Sequence, residues 1–271
     1  MRPEQSPGPR LSRWLWLPAL IGLGLLLLPL LALILRAPWV SMPRLLTDPA
    51  VVQALLLSLG TATASTVISL LLGVPLALIL ARSVEWSAVP RRLLRAVVLV
   101  PLVLPPVVGG VALLLLLGRR GVLGGWLDTW WGISIPFTTP AVVIAQTFVA
   151  MPFLVLSVEG VVRGLDQRYE LMAATLGASR WTVFRRVTLP MAAPGIAAGA
   201  VLCFARALGE FGATITFAGS FPGVTQTLPI ATYLQLQSNP EAAIALSLML
   251  MAVAVIVLVS LRDRWSPGLS G

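Results

Sequence analysis

The chain has 271 residues, 58% of them hydrophobic and only 11% charged, with a net charge of +9 and a mean hydropathy of +0.94. A soluble domain of this length needs far more surface charge, so the composition excludes one and points to an integral membrane protein. All 19 basic residues are Arg, and the chain has neither Lys nor His. That removes the lysine-dependent phosphate loop, histidine metal ligands and histidine acid-base catalysis. The single cysteine, Cys203, cannot form an internal disulfide and reads as a small packed hydrophobe. The arginines punctuate apolar segments instead of gathering on one soluble face, so no nucleic-acid partner is expected.

A hydrocarbon core takes about 20 apolar residues as a helix. Six stretches fit. The first, residues 14–35, lies between Arg13 and Arg36; it is too long for a signal-peptide core, and no small-x-small cleavage site follows it. The second falls within 51–81 before Arg82, and the third covers roughly 96–117 before Arg119. The fourth lies at about 139–162, the fifth begins near 191 after Pro190, and the sixth runs from 242 to 261 before Arg262. With both termini inside, the cytoplasmic segments hold 14 arginines and the external segments four, Arg36, Arg44, Arg119 and Arg120. Positive charge favours the cytoplasmic side, so this orientation is expected. The expectation is an all-α, six-span protein of the cell membrane. Residues 1–49 form a cytoplasmic tail, first span and external loop; 50–262 form the main membrane domain; 263–271 form a cytoplasmic tail.

Pro75, Pro101, Pro105, Pro106, Gly109, Gly110, Pro152 and Gly195 fall within the spans, where they either bend helices or let neighbours pack closely. Between the fourth and fifth spans lies a cytoplasmic segment, 164–190, too charged to cross a bilayer. In "ELMAATLGASRWTVFRRVTLP", residues 170–190, a first helix carries Tyr169, Met172, Ala173 and Leu176 on one apolar face. Gly177 breaks it. Ser179 is placed to cap a second helix, in which Trp181, Phe184 and Thr188 share a face while Arg185 and Arg186 point elsewhere, and Pro190 stops it. Such an element can lie on anionic lipid, pack on its own bundle, or dock in a groove of a cytoplasmic partner.

This segment resembles the E-A-A-x-x-x-G loop of ABC importer permeases, with Gly177 at the glycine position and "VTLP", 187–190, at the closing end. Ala173 fits the pattern; Leu171 stands at the usual glutamate position, Met172 at the first alanine position, and Glu170 falls one residue early. The resemblance implies that the segment is the coupling helix seated in a cleft of a separate ATPase subunit. Its coupling residues would be Glu170, Ala173, Gly177, Ala178, Ser179, Arg180, Trp181 and Phe184.

Further on, "RALGEFGATITFAG" (206–219), "PGVTQTLPIATY" (222–233) and "PLVLPPVVGG" (101–110) resemble segments of molybdate permeases, with sulfate permeases close relatives. The likeness spans roughly residues 50–262. It implies the type I ABC importer permease fold and a homodimer with its pore at the subunit interface. It also implies two ATPase subunits that bind ATP and Mg, and an extracytoplasmic substrate-binding protein; this chain would bind no cofactor or metal and catalyse no bond chemistry. Tungstate or sulfate is the alternative cargo, and a self-sufficient secondary anion transporter the alternative of a different class.

Arg206 lies about 24 Å along the fifth span at 1.5 Å per residue. An arginine at the bilayer centre costs about 2.5–3.5 kcal/mol, so it should face the bundle or a wet cavity. Glu210, four residues on, can pair with it. The two read as an internal ion pair, an anion-attracting site or a partner contact, and Gly209 and Gly212 beside them permit close helix approach. Glu159 has Arg163 one turn away and reads as a snorkelling interfacial pair. The external loop from 220 to 240 offers Thr225, Gln226 and Thr227 as neutral hydrogen-bonding candidates along an oxyanion path.

Overall fold

Long apolar runs become long helices. The computed structural model describes residues 13–83 and 86–265, all helix and connecting loop, with no strand among the described residues. Helices α1 (Trp16–Leu35), α3 (Pro49–Arg82), α7 (Thr139–Gly164) and α13 (Pro240–Trp265), and a continuous helix from Arg180 to Leu208, are each long and apolar enough to cross a membrane. Short α2 (Met42–Leu46) precedes α3. Arg2 and Arg10 and the segment 266–271, assigned to the cytoplasmic tails by the charge pattern, lie outside the described residues.

The third span is not the single helix expected over 96–117. It is broken into α4 (Ala88–Val103) and α5 (Pro106–Leu117), bent by 114°. The cause is local. Leu104 and Pro105 each precede a proline, which disfavours the helical region, and both are extended, with ψ of 133°.

The core sits where α3, α7 and α10 (Leu189–Leu208) meet, filled by Ala62, Ala77, Leu80, Leu154, Val158 and Cys203. Cys203 is thus packed, as its apolar setting implied. α3 turns Ser58, Thr61, Ser65, Thr66 and Ser69 inward at three- and four-residue spacing. Small side chains let the helices approach, and several of the hydroxyls are bonded within the bundle: Thr66 Oγ1 donates to the Ala62 carbonyl (2.7 Å) and Thr147 Oγ1 to Ser65 Oγ (3.1 Å). Pro75 and Pro152 lie inside α3 and α7 without breaking them. α1 buries none of its own residues.

At one end of the bundle, α6 (Gly124–Trp131) follows α5. The segment expected as an external loop, 220–240, is mostly a helix, α12 (Leu228–Ser238), packed on α13 and α3. Its first N–H, from Leu228, donates to the buried Ser58 Oγ at 2.6 Å, and Pro229 occupies the first turn, where no N–H is missed.

Candidate coupling site and buried ion pairs

The segment between α7 and α10 folds as two short helices. α8 (Arg168–Thr175) ends at Gly177, whose φ of +81° is the left-handed conformation open to glycine. The Gly177 N–H bonds the Ala174 carbonyl and the Ala178 N–H the Ala173 carbonyl, the paired bonds of a Schellman stop. α9 (Arg180–Val183) then starts with the expected cap: Ser179 Oγ accepts from the Thr182 N–H at 3.2 Å.

Pro190 does not stop this second helix. α9 runs through a π turn, Phe184–Thr188, straight into α10, and the Leu189 N–H bonds the Phe184 carbonyl five residues back. A regular turn would press the Pro190 ring against the carbonyl four residues before it; the widened turn directly ahead accommodates it.

The apolar faces look away from the bundle. Tyr169, Leu171, Met172, Leu176 and Trp181 are all exposed, Leu176 at 87%. Trp181 and Phe184 stack with ring centres 5.4 Å apart, and the face that begins at exposed Trp181 ends at buried Thr188. Arg180, Arg185 and Arg186 form a basic fringe.

Glu170, one place ahead of the usual glutamate position, makes the contacts to the bundle. One nitrogen of Arg82, at the end of α3, lies 2.8 and 3.0 Å from its two carboxylate oxygens, and Thr188 of the π turn donates its hydroxyl to the same group. Leu171 is 65% exposed and takes no part in this joint. A cleft of about 720 Å³ opens between these helices and the bundle, lined by Arg82, Arg163, Glu170, Arg180, Phe184 and Thr188 among others. Neither Arg82 nor Thr188 is identifiable as a Glu170 partner from sequence. Each is the last residue of its segment, Arg82 of α3 and Thr188 of the π turn, but their convergence depends on where α3 ends relative to the π turn.

Glu159 is a correction. Its pair with Arg163 forms at 2.7 Å, but the carboxylate is buried, not snorkelling, and Arg95 of α4 lies 3.7 Å from the same oxygen. Arg163 also donates to the Leu80 carbonyl of α3 at 3.4 Å. The group clamps three helices at the end of the bundle that carries Glu170.

The Arg206–Glu210 pair forms at 2.6 Å, with Glu210 1% exposed and Arg206 27%. α10 has already ended at Leu208, and the Glu210 carboxylate also accepts from the Ala213 N–H at 2.8 Å, starting α11 (Gly212–Ala218). The flanking glycines differ. A side chain on Gly212 would crowd Pro106 and Val107 of α5, whereas Gly209 has no such neighbour. Two segments far apart in sequence, 101–110 and 206–219, are thereby packed on each other.

Thr225 and Thr227 are fully buried. Thr225 Oγ1 accepts from the Phe221 N–H at 2.9 Å and the Val224 carbonyl accepts from Thr139 Oγ1 at 2.9 Å, so the turn is fastened to α7; Gln226 is partly exposed. Neither Thr225 nor Thr227 lies on the surface of this subunit. Among the described residues no cluster of three metal-ligating side chains occurs.

Residues 73–268 match the family described as the binding-protein-dependent transport system inner membrane component. The chain is 54% identical over 238 residues to the molybdenum transport system permease protein ModB of Mycobacterium tuberculosis, covering 88% of this chain and 89% of that one. It is 44% identical over 194 residues to the protein of the same name in Escherichia coli, covering 72% and 83%. With the sulfate transport system permease protein CysT of Escherichia coli it shares 35% identity over 216 residues, covering 79% and 76%. Among solved structures, a bacterial ABC transporter importing alginate matches with a TM-score of 0.69 at 20% identity, covering 92% of each chain. The chain belongs to the inner membrane components of binding-protein-dependent transport systems.

Proposed function

We propose that this chain is the membrane-spanning subunit of an ATP-driven importer that carries molybdate into the cytoplasm. The observation that carries the reading is identity above one half to a molybdenum permease across nearly the whole length of both chains. The sulfate permease stands at a lower identity, which places sulfate second. The chain has no lysine and so no lysine-dependent phosphate loop, which fits ATP and Mg acting on a separate ATPase.

The working unit is two copies of this chain, two ATPase subunits and an extracytoplasmic binding protein, with both termini in the cytoplasm. The main membrane domain is 50–262 and the coupling loop 164–190. Exposed Tyr169, Leu171, Met172, Leu176 and Trp181 support a docking role for that loop, because it is too charged to enter lipid and its apolar face has no cover among the described residues. In our reading Ala173, Gly177, Ala178 and Ser179 shape the element, Arg180, Trp181 and Phe184 meet the ATPase, and Glu170 passes its displacement to α3 and α10. Arg206 and Glu210 act as a structural pair.

The test is uptake of labelled molybdate in cells with and without the gene, with tungstate and sulfate as competitors and ATP depletion as a control. Gene-dependent, ATP-dependent uptake that resists sulfate is expected. Uptake unchanged by deletion, or competed by sulfate as readily as by molybdate, overturns the cargo assignment and leaves the family.

A further inference from the structure

The short helix α6 has a surface that the transport role does not use. The loop before it is tied to the end of α5: the Val122 N–H bonds the Leu115 carbonyl at 3.1 Å and the Leu123 N–H the Leu116 carbonyl at 2.8 Å. Gly124, the first residue of α6, is buried, and any side chain there would overlap the carbonyl oxygens of Leu117 and Gly118. These contacts fix the height of α6. It sits on the last turn of α5, at the end of the bent α4–α5 pair, which together is long and apolar enough to cross a membrane.

At about 100° per residue, Leu123, Trp126, Leu127, Trp130 and Trp131 fall within one arc of roughly 140°, and Asp128 and Thr129 lie outside it. The three tryptophans are 54%, 70% and 61% exposed, and Trp126 and Trp131 hold each other edge to face at 5.0 Å. The helix to which α6 is tied, α5, also exposes apolar side chains, Val108, Val111 and Leu115 among them. Arg119 and Arg120 flank it, Arg119 donating to Ser134 Oγ at 3.0 Å. Indoles with one apolar and one hydrogen-bonding end, beside arginines and above an apolar helix face, match the chemistry of a phospholipid interface.

We propose that α6 is an interfacial helix whose tryptophan arc rests in the phospholipid boundary of one leaflet, anchoring the end of the bent α4–α5 span. Naming this leaflet the outer one rests on the orientation proposed above; the lipid contact does not. The anchor has a mechanical use. A span broken by 114° lacks the continuous backbone bonding that fixes the depth of a straight helix, and α6 fixes the depth of its far half.

The test compares intrinsic tryptophan emission of the protein and its Trp130→Phe variant in bilayer discs. The lipids are brominated near the glycerol end or near the methyl end of the acyl chain, and a parallel set has iodide in the water. The difference between the two proteins reports Trp130 alone. The expected result is loss of the Trp130 emission with shallow bromine and smaller losses with deep bromine or iodide, both for the isolated permease and for the complete transporter. Quenching by iodide alone places the face in water and overturns the proposal. Bromine quenching that disappears in the complete transporter means that a protein partner covers the face, which also overturns it. If Trp130→Phe fails to fold, Trp126→Phe, one turn earlier on the same arc, gives the same readout.

Discussion

Arg82 and Glu170, 88 residues apart in the chain, meet with one guanidinium nitrogen 2.8 and 3.0 Å from the two carboxylate oxygens. The same carboxylate takes the Thr188 hydroxyl, so the end of α3, the first coupling helix and the π turn that leads into α10 share one joint. Arg82 is 57% exposed, and an exposed pair contributes only about 0–1 kcal/mol, which suits a joint that yields during a transport cycle. Glu170→Gln should leave membrane insertion unchanged and lower ATP-driven uptake several-fold, and the exchange of Arg82→Glu with Glu170→Arg should recover part of it. Wild-type uptake by Glu170→Gln in vesicles would remove this joint from the coupling path.

Gly177 is constrained by backbone angle, not by space: its φ is +81°, and a side chain there would meet nothing within 4 Å. An L-residue held in that region costs roughly 1–2 kcal/mol, and Asn pays less than others. Gly177→Val should therefore reorient α8 against α9 and abolish co-purification of the ATPase, while the thermal midpoint of the bundle changes little. Gly177→Asn should retain more uptake than Gly177→Val. Normal uptake by the valine variant would sink the coupling assignment.

Signals carried by single residues or one apolar run were legible in sequence. Five of the six spans, the Gly177 stop, the Ser179 cap and the Arg206–Glu210 pair all rest on local propensity or four-residue spacing. What failed was set by neighbours. Leu104 and Pro105 look like the middle of a span until two consecutive X-Pro constraints are applied together, and Pro190 looks like a terminator until a π turn absorbs it. The 220–240 segment reads as a polar loop because the turn that buries Thr225 and Thr227 is fastened by backbone groups to side chains of α7 and α3, the Val224 carbonyl to Thr139 and the Leu228 N–H to Ser58. Likewise, nothing local distinguishes Arg82 or Arg95 from the other arginines that mark the same side of the membrane.

The Arg206–Glu210 pair separates a structural from an anion-attracting role by substitution. Removing one partner of a buried pair costs about 3–5 kcal/mol, and Glu210→Gln also weakens the acceptor at the start of α11, so a large drop in thermal midpoint is expected. Arg206→Lys keeps the positive charge. If the pair is structural, this variant retains most of its stability, and its uptake follows its stability. A lysine variant of wild-type stability that loses transport at low molybdate concentration, with uptake recovering at high concentration, would instead assign Arg206 to attracting the anion.

Two close approaches give the sharpest test of helix packing because their obstacles differ in kind. A Cβ on Gly195 would lie 2.7 Å from Val161 Cβ and nearer still to one of its methyls, so only a side chain stands in the way. A Cβ on Gly110 would lie 2.8 Å from the Ala213 carbonyl oxygen, which no substitution can remove, and 2.8 Å from Thr216 Cβ. Overpacking of this kind costs about 1–3 kcal/mol. Gly195→Ala should lower the thermal midpoint, and Val161→Ala, which removes both methyls but keeps the Cβ at 2.7 Å, should restore part of it, a coupling that a double-mutant cycle reads directly. Gly110→Ala should be at least as damaging, and Thr216→Ala should not rescue it, because the α11 backbone remains. Simple additivity of Gly195→Ala with Val161→Ala would mean that α7 and α10 do not touch through these residues. Rescue at Gly110 would mean that α5 meets α11 through side chains, and the tight seating of the second half of the bent span would have to be redrawn.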